Sequence, residues 1–375
     1  MLELWERGLL QDAGDGELRL VQTGIAALPA SLNALLITRL DRLPAPVKQI
    51  VQTAAVLGQS FEVPVLTDIV AEPLRLLEQV QRAAEQQVWV LGNQQRVQFK
   101  HALLREAAYE MQPRTHLRAL HKQAATAVRH LYRDDLSARW GEMAYHLETA
   151  FQLGLAEVQA EACACLQEAG HFATRQYETT AALDYYGRAL ALSAPDDVAA
   201  HSDLRLWQEE VVEWQGNRAA QQKLLAELEE MLPLLDVPRQ TAVALRWARY
   251  HTLLPDYESA LTHAQNALAL ALTTPDPLLQ AQAHRRLGMI LYRQQQYKAA
   301  ASTFYAALEL AQSQYATDLM IKSLNNLGMA LDEQGLFAEA QHYYSQAIAL
   351  QKESHDLYGE TITLTNLGWQ NVIMG

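Results

Sequence analysis

Apolar residues recur at helical spacing along most of the chain, and in the second half this pattern itself repeats. In most copies an anchor residue is followed by small or aromatic residues at offsets of 12, 16 and 19; after Gly288 these are Ala300, Phe304 and Ala307. The copy that begins at Glu209 is weaker. The anchors are Gly170, Glu209, Ala248, Gly288, Gly328 and Gly368. Their spacings are 39, 39, 40, 40 and 40 residues, which predicts an array of equivalent units.

Each unit contains two apolar helical stretches separated by a short polar break such as Gln-Gly-Asn at 215–217. Small residues at Gly288 and Ala300 allow two helices to approach closely, and Phe304 fills the space beside them. A helical hairpin cannot bury its apolar face alone, so the units must stack into a solenoid. The small–aromatic–small order resembles the tetratricopeptide repeat, with a longer period. It implies about five and a half repeats over residues 161–375, forming a right-handed superhelix; a generic helical solenoid is the alternative.

The first third of the chain has a different pattern. We expect helices after Pro29 and Pro46, at about 62–71 and from Pro73 to about Gln86, and a last one from His101 to about Met111. Before that last helix, Val88–Leu91 and Arg96–Lys100 flank Gly92-Asn93, which predicts a β-hairpin. This order of helices, two-stranded wing and helix is typical of a winged-helix domain, here at residues 28–111. Residues 1–10 are expected to be helical, 12–16 a turn and 18–21 the only strand outside the wing.

Residues 112–160 are predicted to form connecting helices. They begin with a basic amphipathic stretch that is either a solvated helix face or an internal docking surface: Arg114, His116, Arg118, His121 and Lys122. Cys163 and Cys165 are too close in sequence for an ordinary disulfide and lack further ligands at zinc spacing. We therefore expect no metal site and assign both cysteines to the core. The predicted fold class is all-α: a winged-helix module with a small hairpin, then the repeat superhelix.

Four segments of the N-terminal third carry a resemblance to a known family. They are Leu28-Pro-Ala-Ser-Leu, Arg39-Leu-Asp-Arg-Leu-Pro, Ala54-Ala-Val-Leu-Gly-Gln-Ser-Phe and the run from Phe99 to Tyr109. They resemble the winged-helix segment of bacterial signal-transduction ATPases with numerous domains, which include relatives of the maltose-regulon activator and AAA-type ATPase modules associated with adenylate cyclases. In that family an ATPase domain precedes the winged helix and tetratricopeptide repeats follow it.

The resemblance has one major departure, which concerns nucleotide binding. The chain has no Gly-x-x-x-x-Gly-Lys-Ser/Thr motif, so the loop that cradles phosphates in such ATPases is absent. We therefore predict no enzymatic activity and no cofactor in this chain, with ATP or ADP bound by an upstream domain. Residues 1–27 are then expected to be the tail of that domain, and the chain a fragment.

His101 is the candidate nucleotide contact that the resemblance implies. In apoptosome and plant-resistance relatives, a Met-His-Asp element between wing and helix reaches the terminal phosphate of bound ADP. Lys100-His101-Ala102 lies at that place, although its first and third residues differ from the motif. His101 is thus predicted to sense ADP in the full-length protein only; the alternative is a structural histidine at a helix start.

The net charge of the chain limits the classes of molecule that it is expected to bind. The chain has 30 basic and 43 acidic residues, a net charge of −13, and no apolar run long enough to cross a membrane. Nucleic acid is therefore an unlikely partner, a cytoplasmic location is expected, and a basic or neutral ligand is favoured for the acidic repeats.

The candidate peptide-binding residues flank the repeat anchors on the predicted concave side: Arg285, Arg286, Met289, Lys322, Asn326, Asn366 and Trp369.

Together these features predict a regulatory and sensor region of a signalling ATPase. The repeat array would bind a protein, a peptide or an inducer, and the winged helix would couple that event to a nucleotide switch. Amides of Asn326 and Asn366 could bond a peptide backbone or could instead satisfy the hairpin's own backbone. A free-standing tetratricopeptide adaptor is the alternative function, followed by a DNA-binding transcription regulator.

Overall fold

A computed structural model describes the backbone of residues 10–12, 18–20, 30–70, 75–93 and 95–374, and side chains within residues 35–368 of those ranges. The chain divides into two compact units, Met1–Ala169 and Gly170–Gly375. No helix in the described ranges is both long and apolar enough to span a membrane.

The N-terminal unit combines short strands with helices. Its strands are β1 (Leu10–Asp12), β2 (Leu18–Leu20), β3 (Ser60–Glu62), β4 (Trp89–Leu91) and β5 (Arg96–Phe99). Its helices are α1 (Ala30–Asp41), α2 (Ala45–Val56), α3 (Val63–Ile69), α4 (Leu76–Glu85), α5 (Ala102–Glu110), α6 (Arg114–Leu131), α7 (Trp140–Gln152) and the first part of α8 (Gln159–Arg175). The predicted hairpin is confirmed as β4–β5.

An aromatic cluster fixes the small sheet against its helices. Strands pair antiparallel in the order β3-β5-β4, so Phe61 lies opposite Val97 and Trp89 opposite Phe99. The rings of Phe61, Trp89 and Phe99 lie 5.4–5.9 Å apart, in edge-on or tilted geometries. Trp89 Nε1 donates to the carbonyl of Val80 in α4 at 2.9 Å, so the buried indole is satisfied.

Two expectations about strands were wrong. β3 was not foreseen, because three residues before a helix are too few to show a strand alternation. Leu10 lies in β1, which pairs with β2, rather than at the end of a helix. Three other expectations fall on residues that the structure does not describe: residues 1–9 of the helix expected at 1–10, residues 13–16 of the turn expected at 12–16, and the helix start at Pro73.

In the basic stretch at the start of α6, His121 is buried, whereas Arg114, His116 and Lys122 are exposed. His121 is fully buried, and its Nδ1 lies 2.9 Å from His146 Nδ1 of α7. On its other side, His121 Nε2 lies 2.9 Å from the hydroxyl of Tyr109. One histidine Nδ1 donates and the other accepts, and burial lowers the pKa of His121 to about 4 and that of His146 to about 3.

The two cysteines differ in burial. Cys165 is buried, which raises the pKa of its thiol to about 11, whereas Cys163 is half-buried.

The C-terminal unit is an array of helical hairpins. It contains the end of α8, then α9 (Thr179–Leu192), α10 (Val198–Trp214), α11 (Arg218–Met231), α12 (Val237–Leu253), α13 (Tyr257–Ala271), α14 (Pro277–Arg293), α15 (Tyr297–Ser313), α16 (Thr317–Asp332), α17 (Phe337–Glu353) and α18 (Leu357–Met374). Even-numbered helices from α8 to α18 carry the anchors and are called first helices; odd-numbered ones are second helices. This is the predicted all-α tetratricopeptide-type array.

The turn inside each hairpin has the same backbone geometry. After each first helix, an amide donates to the carbonyl five residues earlier, the bond that closes a Schellman motif. The donors are Glu178, Asn217, Asp256, Gln296 and Leu336. Their spacings of 39, 39, 40 and 40 residues repeat those of the anchors, so the backbone independently confirms the period.

Close helix approach depends on glycine at three anchors. A Cβ placed on Gly288 would lie 2.6 Å from a ring carbon of Phe304, and one on Gly328 would lie 2.6 Å from Tyr344. Gly170 meets the ring of Tyr186 in the same way. Each aromatic ring therefore occupies the volume that a side chain at the anchor would need.

Aromatic residues with a hydroxyl also bond back to the first helix of their hairpin. Tyr344 donates to Asp332 Oδ2 at 2.9 Å, and the Tyr186 hydroxyl lies 3.1 Å from Thr174 Oγ1. Asp332 and Thr174 both lie four residues after their anchors. In the Gly288 hairpin, Phe304 has no hydroxyl to form such a bond. Tyr292, which lies four residues after Gly288 as Asp332 and Thr174 do after their anchors, donates instead to Glu333 at 3.2 Å.

Gly328→Ala tests the ring contact. We expect it to lower the free energy of unfolding by about 1–3 kcal/mol, because the new methyl group overpacks against Tyr344. Gly187→Ala in α9 is the matched control, since its Cβ would meet no atom closer than 3.9 Å, and alanine should stabilise the helix by up to about 1 kcal/mol. Equal effects in chemical denaturation would contradict the packing argument.

The buried histidine pair predicts acid sensitivity. Because the folded-state pKa values lie below the unfolded value of about 6.5, the unfolded chain binds protons first as pH falls. The stability contribution is complete above about pH 6.5 and is lost progressively on going down to about pH 3, the folded-state pKa of His146. His121→Leu with His146→Leu should remove on the order of 2 kcal/mol of this pH-dependent loss, measured by urea unfolding at neutral and acid pH. His116→Leu, an exposed position on α6, is the control and should leave the profile unchanged.

Candidate ligand-binding surface

First helices of consecutive hairpins contact one another from α10 to α18. Their shared face is here called the first-helix surface. Consecutive first helices are one repeat apart in sequence. Residues about 36–40 positions apart therefore become neighbours across this surface. The candidate peptide-binding residues with described side chains lie on three of these helices, α14, α16 and α18.

Between α10 and α12 the surface is a ladder of ion pairs. Arg239 binds Asp203 at 2.6 Å, and the two further pairs are Arg246–Glu210 at 2.7 Å and Arg249–Glu213 at 2.5 Å. The two residues of each pair are 36 positions apart in sequence, so each of these acidic residues of α10 faces an arginine of α12. The sequence analysis missed this ladder, although the spacing of opposite charges close to one period could have revealed it.

Glu209 adds a buried carboxylate to this ladder. It replaces the small anchor residue of its hairpin and is fully buried. Gln221, which replaces the small residue of the second helix, donates to Glu209 Oε1 at 2.6 Å, and Arg246 Nε lies 3.3 Å from Oε2. Burial raises the pKa of Glu209, which the Arg246 guanidinium counteracts. This hairpin is therefore held by a polar contact where others use glycine and an aromatic ring.

The arginines of α14 lack such partners. Arg285 and Arg286 are half-buried and form no ion pair or hydrogen bond within the described part of the chain, and the Nε atom of Arg285 is buried. Burial, and then repulsion from Arg285 and Arg249, lowers the pKa of Arg286 to about 9. Burial also lowers the pKa of Arg285, with repulsion from Arg249 and a partial offset from Asp318. The α14 arginines are thus compensated only in part: Asp318 acts favourably on Arg285 and Glu213 on Arg286, but neither arginine forms an ion pair with a described residue.

On α16 a buried amide is unsatisfied. Asn326 is 7% exposed, and its Nδ2 has no hydrogen-bond partner among the described residues. It occupies the position equivalent to Arg286, one repeat later. Lys322 on the same helix is exposed and pairs with Asp318 at 2.6 Å. Met289 of α14 is half-buried against the apolar cluster that includes Phe304 and Leu327.

Asn366 differs from Asn326 despite its equivalent place. Its Nδ2 donates to Asn325 Oδ1 of the preceding first helix at 3.0 Å, rather than to its own hairpin's backbone. The side chain of Trp369 lies outside the described residues. The repeated asparagines therefore differ: Asn366 links two first helices, and Asn326 has a buried donor without a partner among the described residues.

His101 lies where the sequence predicted, immediately before a helix. Its backbone is extended, its carbonyl accepts from the amides of Leu104 and Arg105, and α5 begins at Ala102. The imidazole is exposed and forms no capping hydrogen bond. It could therefore meet an external group beside the open amides of the helix N-terminus.

Within the described ranges no group of three or more His, Cys, Asp or Glu side chains could hold a metal ion.

Comparison with known proteins supports the repeat assignment. Residues 279–353 match the tetratricopeptide repeat family, which covers α14 to α17 apart from the first residues of α14. No curated protein matches the sequence of the chain.

Three solved structures are similar at low sequence identity. Aspartyl phosphate phosphatase F from Bacillus subtilis has a TM-score of 0.51 at 13% identity, covering 93% of this chain and 80% of that one. A signal transduction ATPase with numerous domains that carries a tetratricopeptide repeat sensor, from Pyrococcus horikoshii, has a TM-score of 0.49 at 12% identity, with coverages of 92% and 56%. A Rap protein complexed with competence and sporulation factor has a TM-score of 0.49 at 17% identity, with coverages of 72% and 81%.

These likenesses concern the fold. The phosphatase shares the helical-repeat architecture over most of its length. The chain spans about half the length of the archaeal ATPase.

Proposed function

We propose that the repeat array binds a protein or peptide on its first-helix surface and that the chain is the non-catalytic sensor region of a signalling ATPase. The observation that carries the binding proposal is the contrast along this surface. From α10 to α12 the charges pair with one another, whereas Arg285 and Arg286 of α14 and the buried Nδ2 of Asn326 in α16 have no partner among the described residues. Unsatisfied buried donors cost free energy, which a ligand with acceptors would recover.

A peptide fits this surface better than a compact small molecule. The unpartnered donors lie on successive first helices rather than at one point, and Met289 adds an apolar contact between them. An extended peptide offers backbone acceptors and side chains at regular intervals along such a surface.

We propose further that residues 28–111 form a winged-helix module that couples ligand binding to an upstream ATPase domain. The order of α1 to α5 and the β3-β5-β4 sheet support it, together with the family resemblance of the run from Phe99 to Tyr109. His101 would contact the terminal phosphate of ADP there, at the N-terminus of α5, where helix amides favour an anion. A free-standing adaptor would use the first-helix surface alone and would not need His101.

Asn326→Ala tests the binding surface. Peptides are first selected from a displayed random library on the 375-residue chain, and their affinities are measured by fluorescence anisotropy. Loss of one hydrogen-bond donor should raise Kd by about 3- to 10-fold while Tm stays equal or rises, because the Nδ2 group has no partner among the residues that the structure describes.

Gln341→Ala, which removes an exposed amide from second helix α17, is the control and should change neither quantity. A lower Tm with unchanged Kd for Asn326→Ala would make Asn326 structural. Failure to select any peptide that binds the chain would refute peptide binding.

His101→Ala tests the coupling in the protein that includes the upstream ATPase domain. Loss of a charge-assisted contact should weaken ADP binding by about 1–3 kcal/mol, so ADP should dissociate faster and the protein should signal without its inducer. Stopped-flow release of a fluorescent ADP analogue measures this. Wild-type release rates and wild-type silence would make His101 a structural residue at the helix start and would place the switch elsewhere.

A further inference from the structure

A cleft separate from the candidate peptide-binding residues lies between α11, α12 and α13. It has a volume of about 400 Å³ and is lined by the end of α11, the turn that follows it, and one face each of α12 and α13. We call it the α11–α13 cleft. From α12 it includes Gln240, Val243, Ala244 and Trp247, whose sequence spacing places them along one side of the helix. Small-molecule sites in proteins typically have volumes of about 300–1,000 Å³, so the cleft is large enough for a ligand.

The turn after α11 forms a fixed wall of the cleft. It is a short 3-10 helical turn, Leu232–Leu234, with Pro233 at its centre. Gln240 Nε2 of α12 donates to the carbonyl oxygens of Leu232 at 3.1 Å and Leu235 at 2.8 Å. These two hydrogen bonds tie the turn to α12, so the protein's own contacts hold this wall in place.

Apolar and aromatic side chains form most of the lining. Five of the lining residues are aliphatic: Leu232, Pro233, Val243, Ala244 and Leu270. Trp247 and His263 add aromatic rings, which lie 5.7 Å apart at an interplanar angle of 18°. Both rings are also nearly parallel to that of His251, at 26° and 11°. Such a wall favours a ligand that is itself flat and aromatic.

The repeat does not require a tryptophan at this place. Trp247 directly precedes the anchor Ala248, whereas the residues before the anchors Gly288 and Gly328 are both leucine. The Nε1 atom of Trp247 is buried and has no hydrogen-bond partner among the described residues. A buried indole N–H usually has a partner, so packing within the repeat does not account for this side chain.

The charge of the lining is negative. Glu229 of α11 is exposed and forms no ion pair within the described part of the chain. Burial, and then repulsion from His251, lowers the pKa of His263, while Glu229 and Asp256 act in the opposite direction. The imidazole of His263 is therefore neutral at pH 7, and Glu229 determines the charge of the cleft.

We propose that the α11–α13 cleft binds a small, flat aromatic cation, whose ring packs against Trp247 and His263 and whose positive group pairs with Glu229. Tryptophan is the aromatic side chain that attracts cations most strongly, and a carboxylate accepts charge-assisted hydrogen bonds from an ammonium group. The net charge of −13 also favours the approach of a cation. This site would act independently of peptide binding on the first-helix surface, because the two share no residue.

The first test compares three small molecules by isothermal titration calorimetry on the 375-residue chain. Tryptamine is the probe because it combines a flat ring with a positive charge. Indole-3-propionate has the same ring and the opposite charge, and 2-cyclohexylethylamine has the same charge without an aromatic ring. We expect saturable binding of tryptamine with a Kd at least about 10-fold lower than that of either control compound.

The second test locates the site of the charge. E229Q keeps the size of the side chain and removes its charge, so it should weaken tryptamine binding by about 10-fold. E230Q removes the adjacent exposed carboxylate of α11, which does not line the cleft, and should bind tryptamine as the wild type does.

The third test concerns the aromatic wall. W247L and H263T introduce the residues that the Gly288 hairpin carries at the equivalent places, Leu287 and Thr303, so both variants should fold. Each should weaken tryptamine binding by at least about 3-fold, as the loss of an aromatic contact predicts. Thermal melts followed by circular dichroism check the fold of each variant.

Four outcomes would overturn the proposal. They are the absence of saturable tryptamine binding, equal binding of either control compound, equal loss of affinity in E229Q and E230Q, and wild-type affinity in a folded W247L or H263T variant. Because tryptamine binding is measured directly, each of these results is distinct from a failure to select peptides for the first-helix surface.

Discussion

The contact between an anchor glycine and an aromatic ring sets the geometry of the repeat array. In the hairpins of Gly170, Gly288 and Gly328, the ring of the second helix lies where a Cβ would be. This contact holds the two helices close and fixes their rotation, so the same faces recur from one hairpin to the next. Where the glycine is missing, another contact takes its place: Glu209 and Gln221 form a buried hydrogen bond in one hairpin. The array therefore keeps its period although its sequence varies.

The surface chemistry follows from that regular spacing. Because first helices of neighbouring hairpins are in contact, a charge on one helix meets residues about one period away. Opposite charges then form ladders, as Arg249 and Glu213 do between α10 and α12. The ladder stops at α14, which carries arginines opposite arginines. This change of pattern distinguishes the candidate site from the rest of the surface, and a simple count of charged residues does not reveal it.

Much of the fold could be predicted from sequence because it depends on periodicity. The anchors, the hairpin breaks and the β4–β5 hairpin all follow from local patterns, and so does the helix start after His101. The missed features depend on which side chains meet in three dimensions. Periodicity shows that Asn326 and Asn366 are equivalent, but only the structure shows that Asn366 binds Asn325. Likewise, nothing near His121 in sequence indicates that His146 will cover it.

The regular repeat also spaces the first helices evenly along the array. Because consecutive first helices from α10 to α18 contact one another, we expect them to lie at the usual separation of packed helices, about 8–10 Å. An extended peptide advances about 3.3 Å per residue. A segment crossing these helices would therefore present about every third residue to the next hairpin. The array would then read the spacing of side chains in its partner, so that two sequences of identical composition could differ widely in affinity.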